Sequence, residues 1–187
     1  MLSIIMQSNL QIEAPLPRRK DFRIGVLGSG FIIDACHLPS YRKAGLNPVA
    51  IASRHRANAE KTAGKHQIPT VHNSFDDLLD DPTIEVLDIG VTPNAQLGLI
   101  KKACQRGTVK GILAQKPLGM SYAQAVEAVR LCEKAGIALA VNQNMRYDPS
   151  VRACKTLLQN GTIGDPVLAT IDMRGIPHWQ PWQQKMG

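Results

Sequence analysis

A chain of 187 residues holds one domain of ordinary size and little more. With 44% hydrophobic and 20% charged residues it has the composition of a folded globular protein, which excludes an intrinsically disordered chain. The formal charge of +7 invites nucleic acid as a partner, but the basic residues are scattered and aromatic residues make up only 4%, so a basic pocket for a small phosphate-bearing molecule accounts for it better.

Residues 1–20 read as a loose leader, because the apolar run in MLSIIMQSNLQ is too short and lacks the basic flank and cleavage site of a secretion signal. No stretch reaches the ~18–20 apolar residues of a membrane span. Cys36, Cys104, Cys132 and Cys154 form no C-x-x-C pair and three of them fall on apolar helix faces. They are expected to be free, buried thiols of a cytoplasmic protein. His37, His55, His66 and His72 lack metal-ligand spacing, so no metal site is expected, nor is a nucleic-acid or membrane partner.

From Asp21 onward the pattern is regular. Phe22–Leu27, Pro48–Ser53, Val86–Val91, Val109–Ala114 and Ile137–Asn142 are short, almost wholly apolar runs, as strands covered on both faces should be. Helices are predicted at Ala95–Arg106, with Leu97, Ile100, Ala103 and Cys104 inward, and at Ser121–Ala135, with Tyr122, Val126, Val129 and Cys132 on one stripe. The second should open with a capping box of Ser121 and Gln124, and Gly107 and Gly136 should stop the two helices. Strand and helix alternate throughout residues 21–145, which predicts an α/β fold, a Rossmann-type doubly wound parallel sheet.

Beyond it the rhythm changes. Ser150–Asn160 predicts a helix, and Val167, Ala169, Ile171 and Met173 alternate as in an antiparallel strand. Residues 146–187 are therefore expected to begin, and not complete, a second α+β domain with an antiparallel sheet. His178, Trp179 and Trp182 form an aromatic cluster read as core or interface packing, with a sugar-stacking wall as the alternative.

The first predicted strand runs into Gly28-Ser29-Gly30-Phe31-Ile32, a glycine turn opening a helix. Backbone amides and the helix dipole at such a turn hold a pyrophosphate. Ile33 stands where a third glycine is usual. The second strand ends in Ser53-Arg54-His55-Arg56, without the acidic residue that grips an NAD ribose. A hydroxyl and a guanidinium suit a 2′-phosphate instead, which favours NADP over NAD. Thr92-Pro93-Asn94 and Gln115-Lys116-Pro117 lie at the carboxyl ends of two further strands, where ligands of such sheets bind.

These segments, followed by Asn142-Gln-Asn-Met-Arg146-Tyr147, together resemble the Gfo/Idh/MocA family of sugar and inositol dehydrogenases over roughly Asp21 to Met173. The resemblance implies a two-domain oxidoreductase, oligomeric at full length, whose second domain covers the nicotinamide and takes a sugar or polyol substrate. It implies cofactor contacts from Gly28, Ser29, Gly30, Phe31, Ile32, Ser53, Arg54, Thr92, Pro93, Asn94, Gln115, Lys116 and Arg146, and substrate contacts from Lys116, Asn142 and Tyr147. Lys116 takes the place of the family's catalytic lysine, which moves a proton as hydride passes to or from the nicotinamide. An ordinary lysine, at about 10.4, is a weak base at neutral pH, so partial burial of Lys116 is expected. The family's glutamate before this lysine is Gln115 here, and a histidine common three residues after Asn94 is Leu97. A non-catalytic NAD(P)-binding regulator and an NAD-dependent glycoside hydrolase are the alternatives. Gln115→Glu is expected to be tolerated, and residues 1–187 alone are expected to bind dinucleotide without turnover.

Overall fold

The computed structural model describes residue 10 and residues 12–172; Met173 and the cluster of His178, Trp179 and Trp182 lie outside the described residues. In chain order the elements are β1 (Arg23–Leu27), a π-helical turn (Ile32–His37) running into α1 (Leu38–Ala44), β2 (Asn47–Ala52), α2 (Arg56–His66), β3 (Thr70–Val71), α3 (Phe75–Leu79), β4 (Val86–Ile89), α4 (Pro93–Arg106), β5 (Gly111–Ala114), α5 (Tyr122–Ala135), β6 (Ala138–Val141), a 3-10 turn (Asn144–Tyr147) and α6 (Pro149–Gln159). The six strands form one sheet in the order β3-β2-β1-β4-β5-β6, and every pairing is parallel. Among the described residues no helix is long and apolar enough to cross a membrane.

The central strands β1, β2 and β4 are buried on both faces, whereas edge strand β6, expected to be covered on both, exposes Ala138 and Ala140. Strand side chains alternate in direction, so Ile24 and Val26 of β1 and Ile51 of β2 join one apolar layer with Ile33, Leu38 and Ala59. Leu27, Ala50 and Ala52 join the other with Leu87, Ile100 and Ile112. β2 keeps the six-residue length of its apolar run, shifted by one; β1 and β5 start one and two residues late, β6 loses one residue at each end, and β4 ends two residues early, where Gly90 and Val91 leave the ladder for the loop at the carboxyl edge. β3 is a two-residue strand, too short to leave a periodic signal in the sequence.

Strand order reverses between β1 and β4, and their ends meet at a close approach. Gly28 follows β1 with φ of 116°, a conformation that costs glycine little and other residues much. A Cβ there would stand 2.5 Å from the Gly90 carbonyl oxygen. A Cβ on Gly90 would in turn meet Ile33 Cδ1 at 2.3 Å. The space that a third glycine would free on the helix side is thus freed on the strand side. Ile33, wholly buried, fills it.

Two sequence expectations for α5 change. Tyr122 and Val129 are 87% and 40% exposed, while Ala128 and Cys132 are buried, so the inward stripe is rotated by roughly one residue. The small Ala128 lets α5 settle between α4 and β6, which it touches. Ser121 accepts from the Gln124 amide at 3.3 Å, but the Gln124 side chain accepts from Met120 N and not from Ser121, so the capping box is half made. The reciprocal box is at Ser74 and Asp77, opening α3.

The cysteines are free, Cys132 buried and Cys36 and Cys104 half-buried, but Cys154 is exposed. Burial, followed by the neighbouring Cys104 thiol 3.7 Å away, pushes the Cys132 thiol up to about 12. The residues just before β1 are also tied down. Arg19 pairs with Asp21 and Glu85 and lies 4.1 Å over the Phe22 ring.

Contacts gather residues Ala14–Tyr147 into one compact unit, and the chain from Asp148 belongs to another. In the second, the Asp148 side chain caps α6 by accepting from Ser150 N at 2.9 Å. The expected strand at Val167–Met173 is not formed over its described part. Val167, Leu168 and Ile171 are 98%, 86% and 85% exposed. A strand needs a partner ladder for its amides and carbonyls, and none of the described residues supplies one.

The packing at Gly90 predicts that Gly90→Ala destabilises the domain by about 1–3 kcal/mol through overpacking. Urea unfolding should show Ile33→Ala recovering part of that loss in the double variant. Gly98→Ala, with open space around it in α4, should be neutral or stabilising. A Gly90→Ala midpoint equal to wild type would refute the contact.

Glu85 generates a second prediction. The Arg19 guanidinium, then Lys110 and the Arg23 amide, hold its carboxyl down to about 2, against an ordinary 4.5. Its stabilisation is therefore complete above about 4.5 and fades as pH falls toward about 2. The urea midpoint should fall over that window, and Glu85→Gln should flatten the fall. An unchanged slope in the variant would remove Glu85 from the acid transition.

Candidate cofactor and catalytic site

At the β1/β4 reversal the carboxyl ends of the strands enclose a cleft of about 220 Å³. Its floor is the glycine turn, Gly28-Ser29-Gly30, facing Gly90, Thr92 and Asn94 after β4. Gly28 N donates to Ala52 O at 2.8 Å and Gly90 N to Leu27 O at 2.8 Å, which fixes both loop roots to the sheet. The Ser29 and Gly30 amides enter neither the sheet ladder nor the loop bonds among the described residues. No side chain caps the helix that starts after Phe31, so its first turn keeps its partial positive charge. These are the conditions under which a helix start holds an anion.

The other end of the cleft is made by Ser53 and Arg54 at the end of β2. Ser29 Oγ donates to Ser53 Oγ at 2.9 Å, joining the glycine turn to that corner. The two arginines of the segment separate here. Arg56 is held by Glu60 at 2.7 Å and by Asn73. Arg54 is exposed and makes no hydrogen bond or ion pair with the described residues. Phe75, at the start of α3, also lines the cleft and was not anticipated from the sequence.

Not every expected cofactor residue lines this cleft. Phe31 is 65% exposed, Ile32 packs against the apolar layer, and Pro93 serves as the first residue of α4. Thr92 Oγ1 donates to Asn94 Oδ1 at 2.6 Å instead of capping α4. Arg146 and Tyr147 are exposed on the 3-10 turn after β6, outside the cleft lining. Leu97 is half-buried against the core.

Lys116 follows β5, and its side chain is exposed. The partial burial expected for it is not supplied by the described residues. Its loop, however, is firmly held. Gln96, buried in α4, accepts from Gln115 N at 2.6 Å and donates to the carbonyls of Gln115, Pro117 and Leu118 at 2.9, 3.1 and 3.0 Å. The Lys116–Pro117 peptide is cis.

Two of the expected site residues meet at one buried histidine. Gln115 is buried, with its side-chain nitrogen 2.9 Å from His37 Nε2, so it faces the interior and not a cofactor. Asn142 Nδ2 lies 2.7 Å from the same nitrogen. His37 Nδ1 donates to Asp88 Oδ2 at 2.7 Å, and Tyr41 Oη donates to the same oxygen at 2.8 Å. Burial first, and then the charge of Asp88, raise the Tyr41 phenol far above its ordinary value and keep it a donor. Sequence reading missed this network, although Asp88 inside the apolar run VLDIG carried its signal. A carboxylate in a buried strand must have partners.

The comparisons agree with this geometry. Residues 22–143 match the family described as "Oxidoreductase family, NAD-binding Rossmann fold" (GFO_IDH_MocA). An uncharacterized oxidoreductase of Bacillus subtilis is 31% identical over 83% of this chain and 45% of its own. The trans-1,2-dihydrobenzene-1,2-diol dehydrogenase of Macaca fuscata fuscata is 27% identical over 88% of this chain and 49% of its own. A 3-ketoreductase from Actinomadura kijaniata, solved with TDP-benzene and NADP, superposes with a TM-score of 0.68 at 25% identity, over 78% of this chain and 45% of that one. The chain thus spans about half the length of the curated relatives it matches. The glycine turn, the all-parallel sheet and the family match together place this chain in the Gfo/Idh/MocA oxidoreductases, to which it contributes the NAD-binding Rossmann domain.

Proposed function

We propose that this chain is the cofactor-binding part of an NAD(P)-dependent dehydrogenase that oxidises or reduces a hydroxyl-bearing carbon of a sugar, inositol or related polyol. The observation that carries this reading is the cleft itself, with amides at Ser29 and Gly30 that are free among the described residues and can take a pyrophosphate. Ser53 and Arg54, the latter without an ion pair among the described residues, stand at its far corner and favour NADP(H) over NAD(H), because a 2′-phosphate offers them charge-assisted bonds that a bare ribose does not. Lys116 is the proposed catalytic group. Hydride leaves or joins the substrate carbon at the nicotinamide, and the lysine amine takes or returns the hydroxyl proton. The anchoring of its loop by Gln96 supports this role, since a proton-transfer group must be held in place. Leu97 packing on the core is compatible with catalysis centred on the lysine alone.

The domain assignment is proposed with it: a Rossmann domain over 21–145, followed by the start of a substrate and oligomerisation domain over 146–187. The complete enzyme works as a homo-oligomer on a small molecule, in the cytoplasm, without a nucleic-acid or membrane partner. Residues 1–187 by themselves bind dinucleotide and turn over little, because the wall that seats a substrate over the nicotinamide lies in the second domain. A monomeric sample of this chain that oxidises a polyol through many turnovers, followed at the nicotinamide absorbance, would contradict that.

Calorimetric titration should show NADP(H) binding more tightly than NAD(H), with Arg54→Ala erasing about 1.5–3 kcal/mol of the difference. Equal affinities that the substitution leaves unmoved would take Arg54 out of cofactor selection. In the complete enzyme, Lys116→Ala should lower kcat by about 10²–10⁴ while cofactor affinity changes little. Normal turnover in that variant would reject the lysine as the proton-transfer group.

A further inference from the structure

The buried cluster behind the Lys116 loop has one consistent arrangement of protons. Asp88 can only accept, and it takes the Tyr41 hydroxyl and His37 Nδ1–H on the same oxygen. The Gln115 side-chain oxygen accepts from Lys116 N at 3.2 Å, so the amide's NH₂ end is the one turned toward His37. An NH₂ group can only donate. His37 Nε2 must therefore be a bare acceptor, served by Gln115 and Asn142. Asp88 of β4 is the one titratable side chain among the described residues that bonds this ring; Tyr41 of α1 bonds Asp88 and not the ring, and the loops after β5 and β6 contribute only amides.

We propose that His37 is a positioning residue for the Lys116 loop, fixed as the neutral Nδ1–H tautomer, and that Gln115 is matched to it as the donor this tautomer requires. The chain of bonds runs from the helix that begins at the glycine turn, through His37 and Gln115, to the backbone amide of Lys116. It ties the element that would hold the pyrophosphate to the residue that would move the proton. Glutamine at this position is then not a loss relative to the family's glutamate but half of a compensated pair. A glutamate there would set a second carboxylate against the bare Nε2, an arrangement relieved only if the ring takes up a proton from solvent and becomes an imidazolium between Asp88 and position 115.

The positioning role rests on the catalytic reading of Lys116, but its test does not need turnover. The full chain, labelled with ¹⁵N-histidine and without cofactor, should show His37 at neutral pH with a proton on Nδ1 and none on Nε2. Gln115→Glu should convert it to the doubly protonated ring. Gln115→Leu, which keeps Asn142 as a donor to the ring, should leave the tautomer in place and speed hydrogen exchange at the Lys116 amide about fivefold, as loss of one net hydrogen bond implies. A proton on Nε2 in the wild-type chain would overturn the proposal, as would a Gln115→Glu ring that stays neutral or a Lys116 exchange rate unmoved in Gln115→Leu. Failure of the chain to bind NAD(P)(H) would instead count against the functional reading and leave these signals as they are.

Discussion

The close approach of the β1 and β4 ends sets the geometry of everything around it. Gly28 takes a positive φ and passes within contact of the Gly90 carbonyl, while Gly90 leaves room for Ile33. Side chains at either glycine would push the turn away from the strand ends. The helix start would then lift off the sheet, and the cleft between them would lose its floor. The family's usual third glycine is absent, yet the same intimacy between helix and sheet is kept by moving the glycine across the interface. What is preserved is a distance, and either partner can supply it.

A second tier of interactions serves the loops. The apolar layers fix the strands, but they cannot by themselves fix the polar segments after the strands, which have no ladder to join. Here the buried polar groups act. Gln96 binds three carbonyls and one amide of the loop that carries Lys116, and His37 holds the side chain just before that lysine. Asp88 makes this arrangement expensive to disturb, since removing a partner would strand a buried charge. Its second oxygen already has no hydrogen-bond partner among the described residues. Polar burial of this kind does little for net stability and much for the uniqueness of one loop conformation.

The sheet was legible in the sequence because its central strands are buried on both faces, and unbroken apolar runs are hard to mistake. Gly28 and Gly30 were legible because a glycine turn between strand and helix stands out in the sequence. Legibility ended where a residue's role depends on distant partners. Nothing near Gln115 or Asn142 in sequence announces that both meet His37, some 78 and 105 positions away. Position relative to a motif suggested ligand contacts for them, and the bonds to His37 are visible only in the fold. Tyr122 and Val129 failed for a milder reason. Helical spacing alone does not say which of two neighbouring stripes faces the core when Ala128 is the residue that fits. Val167 to Asp172 alternates like a strand, but alternation expresses a capacity for pairing that only a partner realises.

A dinucleotide is expected in the cleft at the β1/β4 reversal. Amide shift mapping of the ¹⁵N-labelled chain during titration with NADP(H) would locate it residue by residue. The expected result is a saturable set of shifts at Ser29, Gly30 and Phe31, at Ser53 and Arg54, and at Thr92 and Asn94, with Lys116 responding at the nicotinamide end. Saturable shifts confined to other surfaces, or none at the glycine turn at concentrations well above those at which isolated Rossmann domains bind, would contradict it.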